Sequence, residues 1–172
     1  MIKKIGVLVI CSLLVIQGFG QSDKSNNQRP AFELKLFVND QQFYNAQLGE
    51  SNYIINDSII QIFAGEKLFI EADVVNDKLS NFKVVKEIRD KSKTLVIDFQ
   101  QSANGKVHEQ MMLTIDNPFE NQLNYKAAMN LMKNKRWVDT SVYPIMAHLK
   151  SIEMWPDLIT SLALFGFEFK DK

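Results

Sequence analysis

From Pro30 onward the chain alternates apolar and polar residues with a period of two, and this rhythm constrains the fold more than any other feature. Phe32, Leu34, Leu36 and Val38 fall on one parity, Glu33 and Lys35 on the other. Successive side chains of a strand point to opposite faces, so such a stretch buries one face and wets the other. The rhythm returns in Leu68, Ile70, Ala72 and Val74 against Glu71 and Asp73, and again in Leu95, Ile97 and Phe99. Val107, Glu109, Met111, Leu113 and Ile115 oppose His108, Gln110, Met112 and Thr114. Long helical patterns are absent, and strands arrive about every 10–12 residues, the spacing of small all-β domains. The pattern predicts an all-β fold: an antiparallel β-sandwich of about seven to nine strands, immunoglobulin-like or jelly-roll-like.

Turn chemistry supplies the punctuation. Ser58 to Phe63, the turn Ala64-Gly65-Glu66 and the run from Leu68 to Val74 read as a β-hairpin. Phe82, Val84 and Ile88 form a strand that leads through Arg89-Asp90-Lys91 to the next. Asn104-Gly105 reads as a type I′ hairpin turn, whose two central positions both need positive φ. Asn117-Pro118 ends a strand, because proline lacks the amide donor. The segment from Leu123 to Leu131 reads as strand, Trp137 to Met146 as an extended stretch interrupted at Pro144, and Ile159 to Phe169 as a last strand buried on both faces at its start. A helix from Pro156 to Leu164 is the competing reading of that last segment; in the strand reading Gly166 marks a bulge or bend.

The first twenty residues carry an address. Lys3 and Lys4 precede an uncharged, mostly apolar stretch from Ile5 to Ile16, and Gly18-Phe19-Gly20 lies ahead of Gln21. That order is a secretory signal peptide with cleavage near Gly20/Gln21. The twelve-residue stretch is too short to cross a bilayer, which takes about 20 apolar residues, so the mature chain is expected to be periplasmic or secreted, with no transmembrane segment. Cys11 lacks the small preceding residue and the end-of-stretch position of a lipidation site, so a lipoprotein is not expected. Residues 21–30 are expected to be a flexible lead-in, and 31–172 a single domain.

Cleavage removes the only cysteine, leaving no disulfide and no thiol chemistry in the mature chain. It also leaves 18 basic residues against 20 acidic ones, with no basic stripe, which argues against a nucleic-acid partner. Lys133, Lys135 and Arg136 read as a solvated loop. His108 and His148 are the only histidines, forty residues apart. No metal site is expected from them, since zinc gathers three or four ligands. No cofactor motif is present, and no G-x-S-x-G elbow occurs. The pairs Asn39-Asp40, Asn56-Asp57, Asn76-Asp77 and Asp116-Asn117 read as turn formers rather than calcium ligands.

The richest stretch for recognition runs from Tyr125 to Pro156. Trp137, Tyr143 and Trp155 lie there among Arg136, Asp139 and Glu153, so aromatic faces and hydrogen-bonding groups are at hand together. As plugs the rings would close the end of a sandwich, the favoured reading; exposed, they would suit a sugar or a peptide. The leading functional expectation is an exported, non-catalytic binding or interaction module of the bacterial cell envelope, its partner an envelope protein or a glycan. One alternative is a carbohydrate-binding or carbohydrate-active domain using Trp137, Tyr143 and Trp155 with the carboxylates of Asp139, Glu153 and Asp157. Another is a structural envelope component that pairs through an edge strand, with Phe32 to Val38 as the candidate edge.

Overall fold

The computed structural model describes residues 27–170. The segment expected to be a signal peptide and most of the expected lead-in fall outside the described residues. Every regular element among the described residues is a strand. In chain order these are β1 (Gln28–Arg29), β2 (Phe32–Asn39), β3 (Gln42–Leu48), β4 (Ser51–Asn52), β5 (Ile54–Ile55), β6 (Ile59–Phe63) and β7 (Glu66–Val75). There follow β8 (Lys78–Val85), β9 (Thr94–Asn104), β10 (Val107–Asp116), β11 (Leu123–Leu131), β12 (Arg136–Thr140), β13 (Lys150–Trp155) and β14 (Ile159–Phe169). The all-β, antiparallel expectation holds. The strand count rises from the expected seven to nine to fourteen, because short pieces such as β1, β4 and β5 carry too few residues to show any alternation.

Ten strands form one open sheet in the order β12-β11-β14-β8-β7-β9-β10-β13, with β6 also laid on β14 and β5 on β6. One edge of β14 is shared: its first half pairs with β6 through Ser161 to Leu164, and Glu168 near its end meets Lys78 of β8. Two ribbons, β1–β4 and β2–β3, complete the structure. One continuous core gathers Leu34 and Leu36 of β2 with Ile60, Ile62, Leu68, Ile70, Ile97, Phe99, Met111, Leu113, Leu123, Leu162 and Leu164, so the alternation read from the sequence is the alternation that is buried.

The hairpin expected from Ser58 to Val74 is absent. β6 and β7 follow one another but pair with different neighbours, β6 with β5 and β14, β7 with β8 and β9. The Ala64-Gly65 step is a corner, its two amides given to Thr160 O at 3.1 Å and Phe99 O at 2.7 Å. Glu66 closes it from inside: its carboxylate accepts the Phe63 amide at 2.7 Å and the guanidinium of Arg29 at 2.7 and 3.1 Å. Arg29, only 1 % exposed, spends its remaining donors on Ser51 Oγ, Asn52 O and Gln61 O. The rings of Tyr53 and Phe63 lie 4.3 and 4.8 Å from the guanidinium carbon. Residues 27–30, expected to belong to the lead-in, thus hold a buried staple. A single arginine in a polar run carries no periodicity to betray it.

The turns follow their side chains. Asn76-Asp77 is the two-residue turn with both φ positive, 50° and 60°, between the paired Val75 and Lys78. The hairpin at Asn104-Gly105 exists but is shifted by one residue. Asn104 already pairs with Val107, the loop is Gly105-Lys106, and of the two only Gly105 has positive φ, the pattern of a type II′ turn. Two bulges switch strand parity. In β8, Asn81 (φ 52°) adds a residue opposite β7 and donates to Asp73 Oδ2 at 3.0 Å, which lets both Leu79 and Phe82 face inward. In β14, Gly166 (φ 64°) sits in the shift that separates Asn124↔Glu168 from Lys126↔Phe165, so Leu162 and Leu164 before it and Phe167 and Phe169 after it all reach the core. Residues 156–165 are therefore strand rather than helix once past Leu158, with the bulge where the glycine indicated. Ile88, expected in a strand, lies in the loop beyond β8 and is exposed.

Breaking the Arg29–Glu66 pair strands a buried charge, which costs about 3–5 kcal/mol. Arg29→Ala is expected to lower the urea midpoint accordingly, and Arg29→Lys to recover little of it, because an ammonium cannot repeat the planar fork. Gly166→Ala is expected to cost roughly 1–2 kcal/mol from the left-handed backbone. An added Cβ would meet Lys126 Cδ and Cγ at an ordinary 3.8 and 3.9 Å, so a clash contributes nothing.

Candidate functional site

The two ends of the large sheet, β12 and β13, are tied by side chains instead of a backbone ladder. Trp155 Nε1 donates to Thr140 Oγ1 at 3.0 Å, and the Tyr143 amide donates to Glu153 Oε1 at 2.7 Å. The chain between the ends is pinned by Asn117, buried at the close of β10. Its side-chain amide donates to Asn121 O, Ile145 O and Met146 O, and its Oδ1 accepts the Phe119 amide. An isolated bridge between Leu123 and Ile145 adds a second pin.

β13 is inverted with respect to the usual rule of apolar side in, polar side out. Its register on β10 sets Glu153 opposite Leu113 and Met154 opposite Met112. Glu153 shares the inner face with Leu113 and is 9 % exposed; Ile152 and Met154 are turned to solvent at 56 % each. Nearby in the chain Tyr143 is 78 % exposed, and Met146 and Leu149 are also open. A charged residue pointing inward is one of the devices that blunts a sheet edge. Outward Ile152 and Met154 have no such purpose.

The inner polar side chains form a small buried cluster. The hydroxyls of Tyr125 and Ser151 lie near one another in β11 and β13, yet neither completes a hydrogen bond among the described residues. Burial, and next the Glu153 carboxylate, push the Tyr125 phenol far above its ordinary value. Tyr125 also stacks on Phe167 at 5.6 Å and 10°. The sequence marked Tyr125 only as a strand residue and assigned the segment around Ser151, which is β13, to no strand. The available signal was the order Ser151-Ile152-Glu153-Met154, whose polar parity reads as the wet face in isolation and proves to be the inner one.

The sequence-selected residues are divided between faces. Trp137 and Asp139 share the outer parity of β12 and are exposed, Trp137 at 47 %, so burial as a plug fails for that ring. Trp155 is half-buried against the core, and Arg136 is exposed where the hairpin loop ends. Asp139 points out and Glu153 in, and Asp157 lies beyond β13 in an exposed turn, so the three carboxylates do not converge on one cavity. The candidate edge Phe32 to Val38 is paired with β3 along its length, and at Phe37 its other side is taken by the Gln101 amide. β2 is thus an edge strand of a two-stranded ribbon, and the main path of the large sheet ends separately at β12 and β13.

Elsewhere an open cleft of about 560 Å³ is lined by Arg29, Tyr53, Lys67, Phe69, Val84 and Lys86, among others. All five guanidinium donors of Arg29 are already used, so it brings no free hydrogen to that cleft. Burial, then Glu66, raises the Tyr53 phenol above its ordinary value, partly offset by Arg29. No cluster of three or more metal-ligating side chains occurs among the described residues, and no helix there is long and apolar enough to cross a membrane. Comparison with protein-family models, with curated proteins and with solved structures yields no match.

Tyr125 gives a pH test. In the unfolded chain its phenol ionises near pH 10, while the folded site resists ionisation, so the folded state keeps a proton that the unfolded state loses. Stability is expected to fall as pH rises above about 10. Tyr125→Phe should flatten that decline in urea titrations at pH 9 to 11, leaving the smaller share of Tyr53. At neutral pH the variant should be as stable as the parent or more so by up to about 1 kcal/mol, since an unpaired buried hydroxyl has been removed.

Proposed function

We propose that this protein is an exported, non-catalytic interaction module of the bacterial cell envelope, periplasmic or secreted after removal of its leader, and that it meets its partner on the outer side of β13 and the neighbouring aromatic segment. The observation that carries this reading is the inversion of β13, which turns Ile152 and Met154 outward; Tyr143, Met146 and Leu149, which precede them in the chain, are exposed as well. Apolar side chains gathered on an exposed sheet end, with rigid aromatics close by, are the makings of a protein interface. The separation of Asp139, Glu153 and Asp157 speaks against paired-carboxylate hydrolysis and for recognition.

The architecture assumed is the two-layer sandwich expected from the alternation. Its support is the single core to which β2 contributes Leu34 and Leu36 together with the strands of the large sheet. The second reading, a glycan as ligand, is favoured by one observation, the open ring of Trp137 beside Asp139 on β12.

The experiment is capture of cross-linked partners from envelope fractions by the mature protein. Ile152→Glu with Met154→Glu is expected to reduce capture of a specific protein at least tenfold while leaving the unfolding free energy from urea titration within about 0.5 kcal/mol, as for exposed sites. Capture unaffected by the double substitution would sink the protein-interface reading. Quenching of Trp137 fluorescence by soluble glycans, lost in Trp137→Phe, would favour the sugar instead.

A further inference from the structure

We propose that His108 is a proton-operated latch on the tip of the β2–β3 ribbon. The latch is built from four groups. Gln101 Oε1 accepts the Phe37 amide at 2.9 Å, and Gln101 Nε2 donates to the Phe37 carbonyl at 2.8 Å. The same Nε2 lies 2.9 Å from His108 Nδ1, and His108 Nε2 lies 3.0 Å from the Pro156 carbonyl. Here a glutamine side chain stands in for a neighbouring strand, pairing with both backbone groups of Phe37.

Chemistry fixes every donor in this chain of bonds. A backbone N–H can only donate and a carbonyl can only accept, so Phe37 decides which way the Gln101 amide points. The second hydrogen of Nε2 is then aimed at His108 Nδ1, which must accept. The imidazole proton therefore sits on Nε2, where the Pro156 carbonyl receives it. The latched state thus holds neutral His108 in one tautomer, and the instruction for that tautomer comes from β2 through Gln101.

A protonated imidazole has two donors and no acceptor. Its Nδ1–H would face the Gln101 NH₂, donor against donor. Inverting the amide offers Oε1 to the histidine but sets NH₂ against the Phe37 N–H. No arrangement of the four groups satisfies the charged ring, so proton uptake breaks the Gln101–His108 contact and withdraws the support that holds the Gln101 amide on Phe37. The charged side chains on the surrounding elements are engaged elsewhere or exposed. Glu109 of β10 accepts from Ser102 Oγ, Asp98 of β9 from Gln100, and Lys35 of β2 lies over Phe43. Lys106 in the turn and Asp157 beside Pro156 are exposed, and His108 takes part in no ion pair among the described residues.

Loss of that support releases Phe37 and bares the N–H and C=O of a strand edge, the geometry onto which another strand can be added. The ribbon itself stays anchored by Leu34 and Leu36. The test is nuclear magnetic resonance of the folded chain from pH 8 to 5, following the His108 ring nitrogens and the exchange protection of the Phe37 amide. Protection, corrected for the intrinsic pH dependence of exchange, is expected to fall at least tenfold in step with His108 protonation. His108→Phe should abolish that step, Gln101→Ala should leave Phe37 unprotected at every pH, and His148→Gln should change nothing. Protection that survives protonation of His108, or a loss that persists in His108→Phe, overturns the proposal.

Discussion

The corner between β6 and β7 depends on one buried ion pair, and the arrangement of the sheet depends on the corner. Were Ile59 to Phe63 and Glu66 to Val75 to fold back on each other as adjacent strands, β6 would be lost to β14 and β7 to β9. Glu66 prevents it by taking the Phe63 amide with a side-chain oxygen, so the hydrogen bond that would begin a hairpin is already spent. Arg29 makes that carboxylate tolerable inside the molecule, and the aromatic rings of Tyr53 and Phe63 shield the pair from water. A buried pair of this kind adds little net stability over an apolar substitute but penalises any alternative that separates it. It specifies the corner more than it strengthens it.

Around that corner the sheet keeps its apolar residues inside by local irregularity. The eleven-residue strand β14 changes parity along its length against β11. The Gly166 bulge resets the parity, and Asn81 does the same in β8, with its side chain tied to Asp73. The aromatic row of Phe82, Phe167 and Tyr125 is assembled by these two resets, since each ring lies beyond or beside one of them.

At the far end of the sheet the same economy of bonds has a different result. β13 is held on one side by β10, while its other side meets the rest of the molecule through Glu153 and Trp155 side chains. Satisfying the Tyr143 amide requires Glu153 to face inward, and because side chains alternate, Ile152 and Met154 must then face out. The exposed apolar surface is thus a geometric consequence of how the sheet ends are tied. The Gln101–His108 chain is a parallel case at the opposite ribbon, a side-chain amide completing an edge that no strand covers.

The sequence by itself determined the all-β class, the antiparallel strands from Leu95 to Leu131, the turn role of Asn76-Asp77 and the break at Asn117, because alternation and turn chemistry are local properties that each segment carries alone. It also singled out Trp137, Tyr143 and Glu153 as chemically notable. It could not assign them to faces, or reveal that Arg29 is buried, that β6 and β7 part company, or that the polar parity of β13 is the inner one. Those are decided only when distant segments meet. A residue's face is set by the register of its partner strand and by which buried groups still lack a hydrogen bond, and both are properties of the assembled sheet.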